Sequence, residues 1–145
     1  PRYKIVLDSN GKINEKAKIF DSNETTIIFT TKKNKINFKK NNLEIIEVEK
    51  VDGRTNLIEI MKIINNLGIH KILVESGNTI STELIKKKFV DKVYFFIAPK
   101  IIGGNKISVG DIGIKNIQDI IRLRDIEYKY LDQDILISGY IKEKK

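Results

Sequence analysis

Residues 56–67 carry the pattern that most restricts how this chain can fold. Leu57, Ile60, Met61, Ile64 and Leu67 recur at helical spacing and line one apolar stripe. Asn56, with Glu59 three residues on, reads as a capping box in which Asn replaces the usual Ser or Thr. Gly68 stands where a helix-ending glycine belongs. Strand-like runs flank the helix: Leu43-Glu44-Ile45-Ile46-Glu47-Val48-Glu49 before it and Lys71-Ile72-Leu73-Val74-Glu75 directly after it. Strand, helix and strand at this spacing form a βαβ unit, so part of the sheet is expected to be parallel.

The remaining elements extend this α/β reading. Tyr3-Lys4-Ile5-Val6-Leu7 is a β-branched run that ends in the turn residues Asp8-Ser9-Asn10-Gly11. Residues 25–31 are rich in strand formers. Residues 32–42 read as a loop or a poor helix, and Val51-Asp52-Gly53-Arg54 as a turn. A second short helix is expected over residues 80–88, opened by Ser76-Gly77-Asn78-Thr79. Val93-Tyr94-Phe95-Phe96-Ile97-Ala98 is apolar on both faces and is expected to be a central strand. Residues 105–119 read as irregular. Residues 121–130 and 135–141 form a hairpin joined by Leu131-Asp132-Gln133-Asp134. The order is parallel α/β first and antiparallel strands last, with no repeat and no domain linker.

Composition excludes several chemistries. The 145 residues suit one domain with a real core, at 41% hydrophobic and 32% charged. There is no Cys, so no disulfide, thiolate metal site or Cys nucleophile can form. The single histidine, His70, cannot make a His-based metal cluster and reads as a surface residue, so no metal site is expected. No apolar run approaches the ~20 residues needed to span a bilayer, and no signal peptide is visible; the expectation is a cytoplasmic protein without a membrane partner. Lys plus Arg is 27 and Asp plus Glu is 19, a net charge of +8. The lysines are spread along the chain among acidic residues, with clusters at Lys32-Lys33, Lys39-Lys40 and Lys86-Lys87-Lys88. They suit a solvated surface or phosphorylated ligands better than nucleic acid, since no nucleic-acid motif accompanies them.

Three places could carry chemistry. Val74-Glu75-Ser76-Gly77-Asn78-Thr79 joins an expected strand end to a helix start, where open N–H groups and a partial positive charge favour phosphate. Gly77 would permit close backbone approach, and Glu75 offers a carboxylate. The alternative is an ordinary turn in which Asn78 or Thr79 caps the helix. Asp8-Ser9-Asn10-Gly11 lies at another strand end, and its plain reading is a polar turn. Thr30-Thr31-Lys32-Lys33 combines two hydroxyls and two ammonium groups that could hold a phosphate, against the simpler reading of a solvated basic loop. No nucleophile–His–acid set is present.

Four ordered motifs resemble a known family. They are Ile5-Val6-Leu7-Asp8-Ser9, Ile72-Leu73-Val74-Glu75-Ser76-Gly77-Asn78-Thr79, Phe89-Val90-Asp91-Lys92-Val93, and Ile97-Ala98-Pro99-Lys100-Ile101-Ile102-Gly103-Gly104. Together they resemble the C-terminal reductase domain of the bifunctional riboflavin-biosynthesis deaminase/reductase, over essentially the whole chain. The resemblance implies a three-layer dihydrofolate-reductase-like fold with a mixed, mainly parallel sheet and a C-terminal antiparallel hairpin. It implies hydride transfer from NADPH to the ribosyl group of a phosphoribosylamino-pyrimidine, giving the ribityl form, in a homodimer. By the same resemblance Ser9 and Asn10 are NADPH contacts. Gly77, Asn78, Thr79 and Ile80 cradle the cofactor phosphates, and Glu75 contacts the phosphorylated pyrimidine substrate. The catalytic residues are not assigned.

Two departures qualify that implication. Ser76 stands where the family has the first glycine of Glu-Gly-Gly, which matters if that position needs a positive φ. The family's reductase domain also begins well before the Asp-Ser strand, in a part that supplies much of the substrate and nicotinamide site. The chain, opening at Pro1, is therefore expected to be the C-terminal part of a single reductase domain spanning 1–145, truncated at its N-terminus and poorly active alone. The competing readings are a reductase of the same fold with another substrate, and a basic nucleotide- or nucleic-acid-binding module without catalysis.

Overall fold

The computed structural model describes residues 2–104 and 107–141. The chain divides into two compact units, Pro1–Ile72 and Leu73–Lys145, and each is described by itself. The division falls inside the apolar run Ile72-Leu73-Val74, with no linker-like composition to announce it.

The first unit is built on a three-stranded parallel sheet: β1 (Tyr3–Leu7), β2 (Thr25–Thr30) and β3 (Leu43–Glu47), in that order. Tyr3 pairs with Thr25 and Leu7 with Phe29; Thr26 pairs with Leu43 and Thr30 with Glu47. Both faces of β2 are covered, so Ile27, Ile28 and Phe29 are fully buried. The period-2 alternation of the strands divides the apolar residues between two cores. On one face Ile27 and Phe29, flanked by Tyr3, Ile5, Leu7 and Ile46, meet Val48, Ile60 and Ile64. On the other Ile28, flanked by Val6, Leu43 and Ile45, meets Phe20 and Ile36 from the strand connections. Those connections contain only short 3-10 turns, at Lys18–Phe20 and Lys33–Lys35.

The expected helix is α1 (Leu57–Asn66). Asn56 caps it, its side chain accepting from the N–H groups of Ile58 and Glu59 at 3.1 and 3.3 Å. The reciprocal half of a capping box is not made. The Glu59 carboxylate accepts from Glu49 N–H at 2.8 Å, and Asn56 N–H donates to the Glu49 carbonyl. The helix is thus tied to the segment after β3. Its end is a Schellman motif: Gly68, at φ +73°, donates to Asn65 O and Ile69 donates to Ile64 O. Between β3 and α1, the expected turn is a small hairpin of β4 (Lys50–Val51) and β5 (Arg54–Thr55). Asp52 and Gly53 both take positive φ there, as a type I′ turn requires.

The parallel pairing expected from the βαβ pattern is present, but residues 71–75 are not its second strand. They are irregular and exposed, and the parallel ladders join β1, β2 and β3, all N-terminal to the helix. The reason is that strand-forming residues describe fit to a half-buried pleated surface. Ile72, Leu73 and Val74 pair with no strand here and are 37%, 73% and 46% exposed.

The second unit holds α2 (Asn78–Lys86) and an antiparallel sheet of β6 (Lys92–Ile97), β7 (Leu123–Leu131) and β8 (Asp134–Ile141). The order is β6-β8-β7, so β6 is an edge strand and not the central one expected from its composition. An unbroken apolar run marks burial on both faces only if layers cover both, and Tyr94, Phe96 and Ile97 are 50%, 66% and 49% exposed. The expected C-terminal hairpin is β7–β8, closed by Asp132 and Gln133 with Asp132 at φ +58°. A bulge between Arg124 and Glu127 interrupts its ladder. Helix α2 ends in a Schellman motif with the same two bonds as α1, from Lys88 to Ile85 O and from Phe89 to Leu84 O. Its left-handed position is filled by Lys88 at φ +58° instead of glycine. The expected irregular stretch contains one 3-10 turn, Ile117–Asp119; Asn105 and Lys106 lie outside the described residues, as does Pro1.

Candidate functional site

In the first unit the carboxyl ends of β1 and β2 bring two of the sequence candidates together. The β1 end runs into Asp8-Ser9-Asn10-Gly11, and the β2 end into Thr31-Lys32-Lys33. Parallel pairing sets them side by side, since Leu7 pairs with Phe29 and Asp8 N–H donates to Phe29 O. The Asp8 carboxylate folds the turn by accepting from Asn10 N–H at 3.3 Å and Ile13 N–H at 2.7 Å. Gly11 closes it at φ +63°. A Cβ there would lie 2.8 Å from Lys35 Cβ and 3.1 Å from Lys32 O, so the turn rests directly on the lysine loop.

Side-chain bonds fasten the two segments. Thr31 Oγ1 donates to the Ser9 carbonyl at 2.7 Å. Ser9 Oγ accepts from Thr55 N–H at 3.0 Å, which ties the β1 turn to β5. The buried Thr30 hydroxyl accepts from Lys32 N–H at 3.1 Å and shapes the start of the loop. Asn10 is exposed. Among the described residues, Lys32, Lys33 and Lys35 have no carboxylate at ion-pair distance. The sequence offered the Ser9 turn and the Thr31-Lys32 loop as separate candidates. Only the parallel register shows that they are one place, at the strand ends where α/β sheets bind ligands.

In the second unit the other candidate residues form one contiguous run. Glu75, Gly77, Asn78 and Thr79 are exposed and Ile80 is half-buried. Gly77 is the residue before the first helical turn, and open space surrounds its Cα where a side chain would project. No side chain caps this helix. Asn78 and Thr79 lie inside the first turn, so neither is the cap; Asn78 Oδ1 accepts from the Thr79 hydroxyl at 3.4 Å instead. The first turn holds no carboxylate. Its N–H groups therefore face outward without a side-chain acceptor, an arrangement that fits an anion. Thr82 Oγ1, bonded to Asn78 O at 2.6 Å, accepts from Gly110 N–H at 2.7 Å and anchors the helix to the following loop. Ser76 lies outside the left-handed region, so it fills the family's glycine position without backbone strain.

His70 is exposed. A depression of about 480 Å³ lined by Ile13, Asn14, Lys16, Lys35 and Phe38 shares Lys35 with the loop after β2, while Ser9 and Asn10 do not line it. Among the described residues no helix is long and apolar enough to cross a membrane, and no group of His, Asp and Glu is arranged to hold a metal ion.

Comparison with known proteins places these residues in a family context. Residues 2–137 match the model of the RibD C-terminal domain. The chain is 32% identical over 146 residues to the riboflavin biosynthesis protein PYRR, chloroplastic, of Arabidopsis thaliana, covering 96% of this chain and 24% of that protein. It is 23% identical over 100 residues to the 5-amino-6-(5-phosphoribosylamino)uracil reductase of Buchnera aphidicola, covering 69% of this chain and 48% of that one. Among solved structures, Acinetobacter baumannii RibD superposes with a TM-score of 0.71 at 17% identity, over 96% of this chain and 37% of that chain. The chain thus spans about a quarter to a half of the length of these proteins.

Proposed function

The chain belongs to the RibD C-terminal domain family, and from that premise we propose that it is the C-terminal part of a single reductase domain of riboflavin biosynthesis. The fold is the dihydrofolate-reductase-like α/β arrangement of that family. The proposed reaction reduces the ribosyl group of a phosphoribosylamino-pyrimidine to the ribityl form, with NADPH supplying the hydride. The protein acts as a cytoplasmic homodimer in this reading.

The observation that carries the proposal is the uncapped start of α2. Gly77 leaves the approach open, and the N–H groups of Asn78, Thr79 and Ile80 have no side-chain acceptor, so they suit the pyrophosphate of a dinucleotide. Glu75, exposed just before them, is the proposed contact for a substrate hydroxyl or ring N–H. Within the first unit, Ser9 and Asn10 are the proposed cofactor contacts. The preference for NADPH over NADH rests on charge. The two cofactors differ by one phosphate, and the loop after β2 presents Lys32, Lys33 and Lys35 without carboxylate partners among the described residues. The half-exposed Tyr94, Phe96 and Tyr128 of the antiparallel sheet support a subunit contact.

Thermal unfolding with each cofactor tests this. NADPH at 100 times its Kd is expected to stabilise the protein by about 2.7 kcal/mol, NADH is expected to do so only at higher concentration, and Gly77→Val is expected to weaken both. Unchanged melting with millimolar NADPH and NADH would remove the cofactor-binding reading.

A further inference from the structure

A serine hydroxyl brings one donor and two acceptor positions, and which of these a ligand meets depends on what the protein has already engaged. Thr55 N–H occupies an acceptor position of Ser9 Oγ at 3.0 Å. Among the described residues, no acceptor takes the Ser9 hydroxyl proton. The Ser9 backbone is fixed from the opposite direction, because Thr31 Oγ1 donates to its carbonyl at 2.7 Å across 22 residues of sequence. Thr31 follows β2 directly, while Thr55 belongs to β5. Three separate parts of the chain therefore converge on one residue, and each contact limits how Ser9 can turn.

From this geometry we infer that Ser9 is held as a hydrogen-bond donor, and that Thr31 is a positioning residue that acts through it. The inference rests on the cofactor reading above and deepens it. The hydroxyl proton is the group of Ser9 left without a partner among the described residues, so the ligand atom proposed there is an acceptor oxygen, such as a carboxamide carbonyl or a phosphate oxygen. The Thr31 hydroxyl does not meet the ligand. Its proton is spent on the Ser9 carbonyl, and without that bond the Asp8–Gly11 turn can rotate the hydroxyl of Ser9 away. A side chain with the shape of Thr but no hydroxyl would keep the packing and lose the alignment.

A double-mutant cycle on NADPH binding tests this, with melting temperature read in parallel. Ser9→Ala is expected to weaken NADPH binding about tenfold, the scale of one hydrogen bond. Thr31→Val is expected to weaken it nearly as much, Thr31→Ser to restore it, and the double variant to bind no worse than Ser9→Ala. Additive losses in the double variant would overturn the inference, as would a Thr31→Val protein that melts earlier yet binds NADPH unchanged. A Thr31→Ser protein as weak as Thr31→Val would also overturn it. Wild-type protein that binds neither NADPH nor NADH would instead sink the cofactor reading beneath it, so the two failures are told apart by the wild-type titration alone.

Discussion

The two three-stranded sheets of this molecule treat similar residues in opposite ways. In β2, Ile27, Ile28 and Phe29 are 0% exposed; in β6, Tyr94 and Phe96 are 50% and 66% exposed. Both strands read from sequence as apolar runs. The difference lies in the layers that cover them. Strand β2 is central, with α1 on one face and the 3-10-containing connections on the other, all drawn from the same seventy-odd residues. Strand β6 is an edge, and its central neighbour β8 carries the buried Ser138 and Gly139. A strand's composition therefore reports a fully buried environment only when its own neighbourhood in the chain supplies both covers.

The largest effect expected from this contrast is in the aromatic residues. Phe29→Ala removes a fully buried ring and is expected to cost about 3–5 kcal/mol, while Phe96→Ala is expected to cost below about 1 kcal/mol. Urea unfolding of both variants measures this, and a Phe96 cost that approaches that of Phe29 would mean that the sheet face is covered in solution. Next comes Gly11→Ala. The new Cβ meets the Lys35 side chain and the Lys32 carbonyl at a positive φ, so a loss of about 1–3 kcal/mol is expected. A neutral result would show that the turn does not bear on the lysine loop.

The two helix ends make a matched pair with a smaller effect. The same C-terminal motif holds Gly68 in the first unit and Lys88 in the second, both in the left-handed region. Gly68→Ala is expected to destabilise by about 1 kcal/mol and Lys88→Gly to stabilise by about as much. Calorimetric melts that shift in the same direction for both would contradict the shared geometry. The smallest effect is at Thr26, whose buried hydroxyl has no hydrogen-bond partner among the described residues. Thr26→Val is expected to raise stability by up to about 1 kcal/mol, and a loss on denaturant titration would reveal a partner for that hydroxyl.

Elements whose signals are local were legible in the sequence. The Asn56 cap, the stripe of α1 and Gly68 need only neighbouring residues, as do the Asp52-Gly53 turn and the β7–β8 hairpin. Residues 71–75 were misread because a strand exists through its partner, and no partner can be read from Ile72, Leu73 and Val74 themselves. The candidate site was half legible. Turn and hydroxyl residues at strand ends marked the Ser9 and Thr31 segments separately, but the bond between them spans 22 positions and follows from parallel pairing. The uncapped N-terminus of α2 was equally open, because Asn78 and Thr79 are good capping residues by type and lie one and two positions past the cap at Gly77.

The connectivity of the sheets also sets an order of events in time. The β7–β8 hairpin closes through two residues, so its ladder can form on the microsecond scale of isolated hairpins. The β1–β2 and β2–β3 ladders are parallel and must first close the long connections that hold Phe20 and Ile36. That loop entropy is spent before any ladder bond repays it, which slows such pairings. The Ser9–Thr31 bond, made only once β1 and β2 are in register, is then among the late contacts to appear. A cofactor that depends on it would engage the chain after the hairpin has already set.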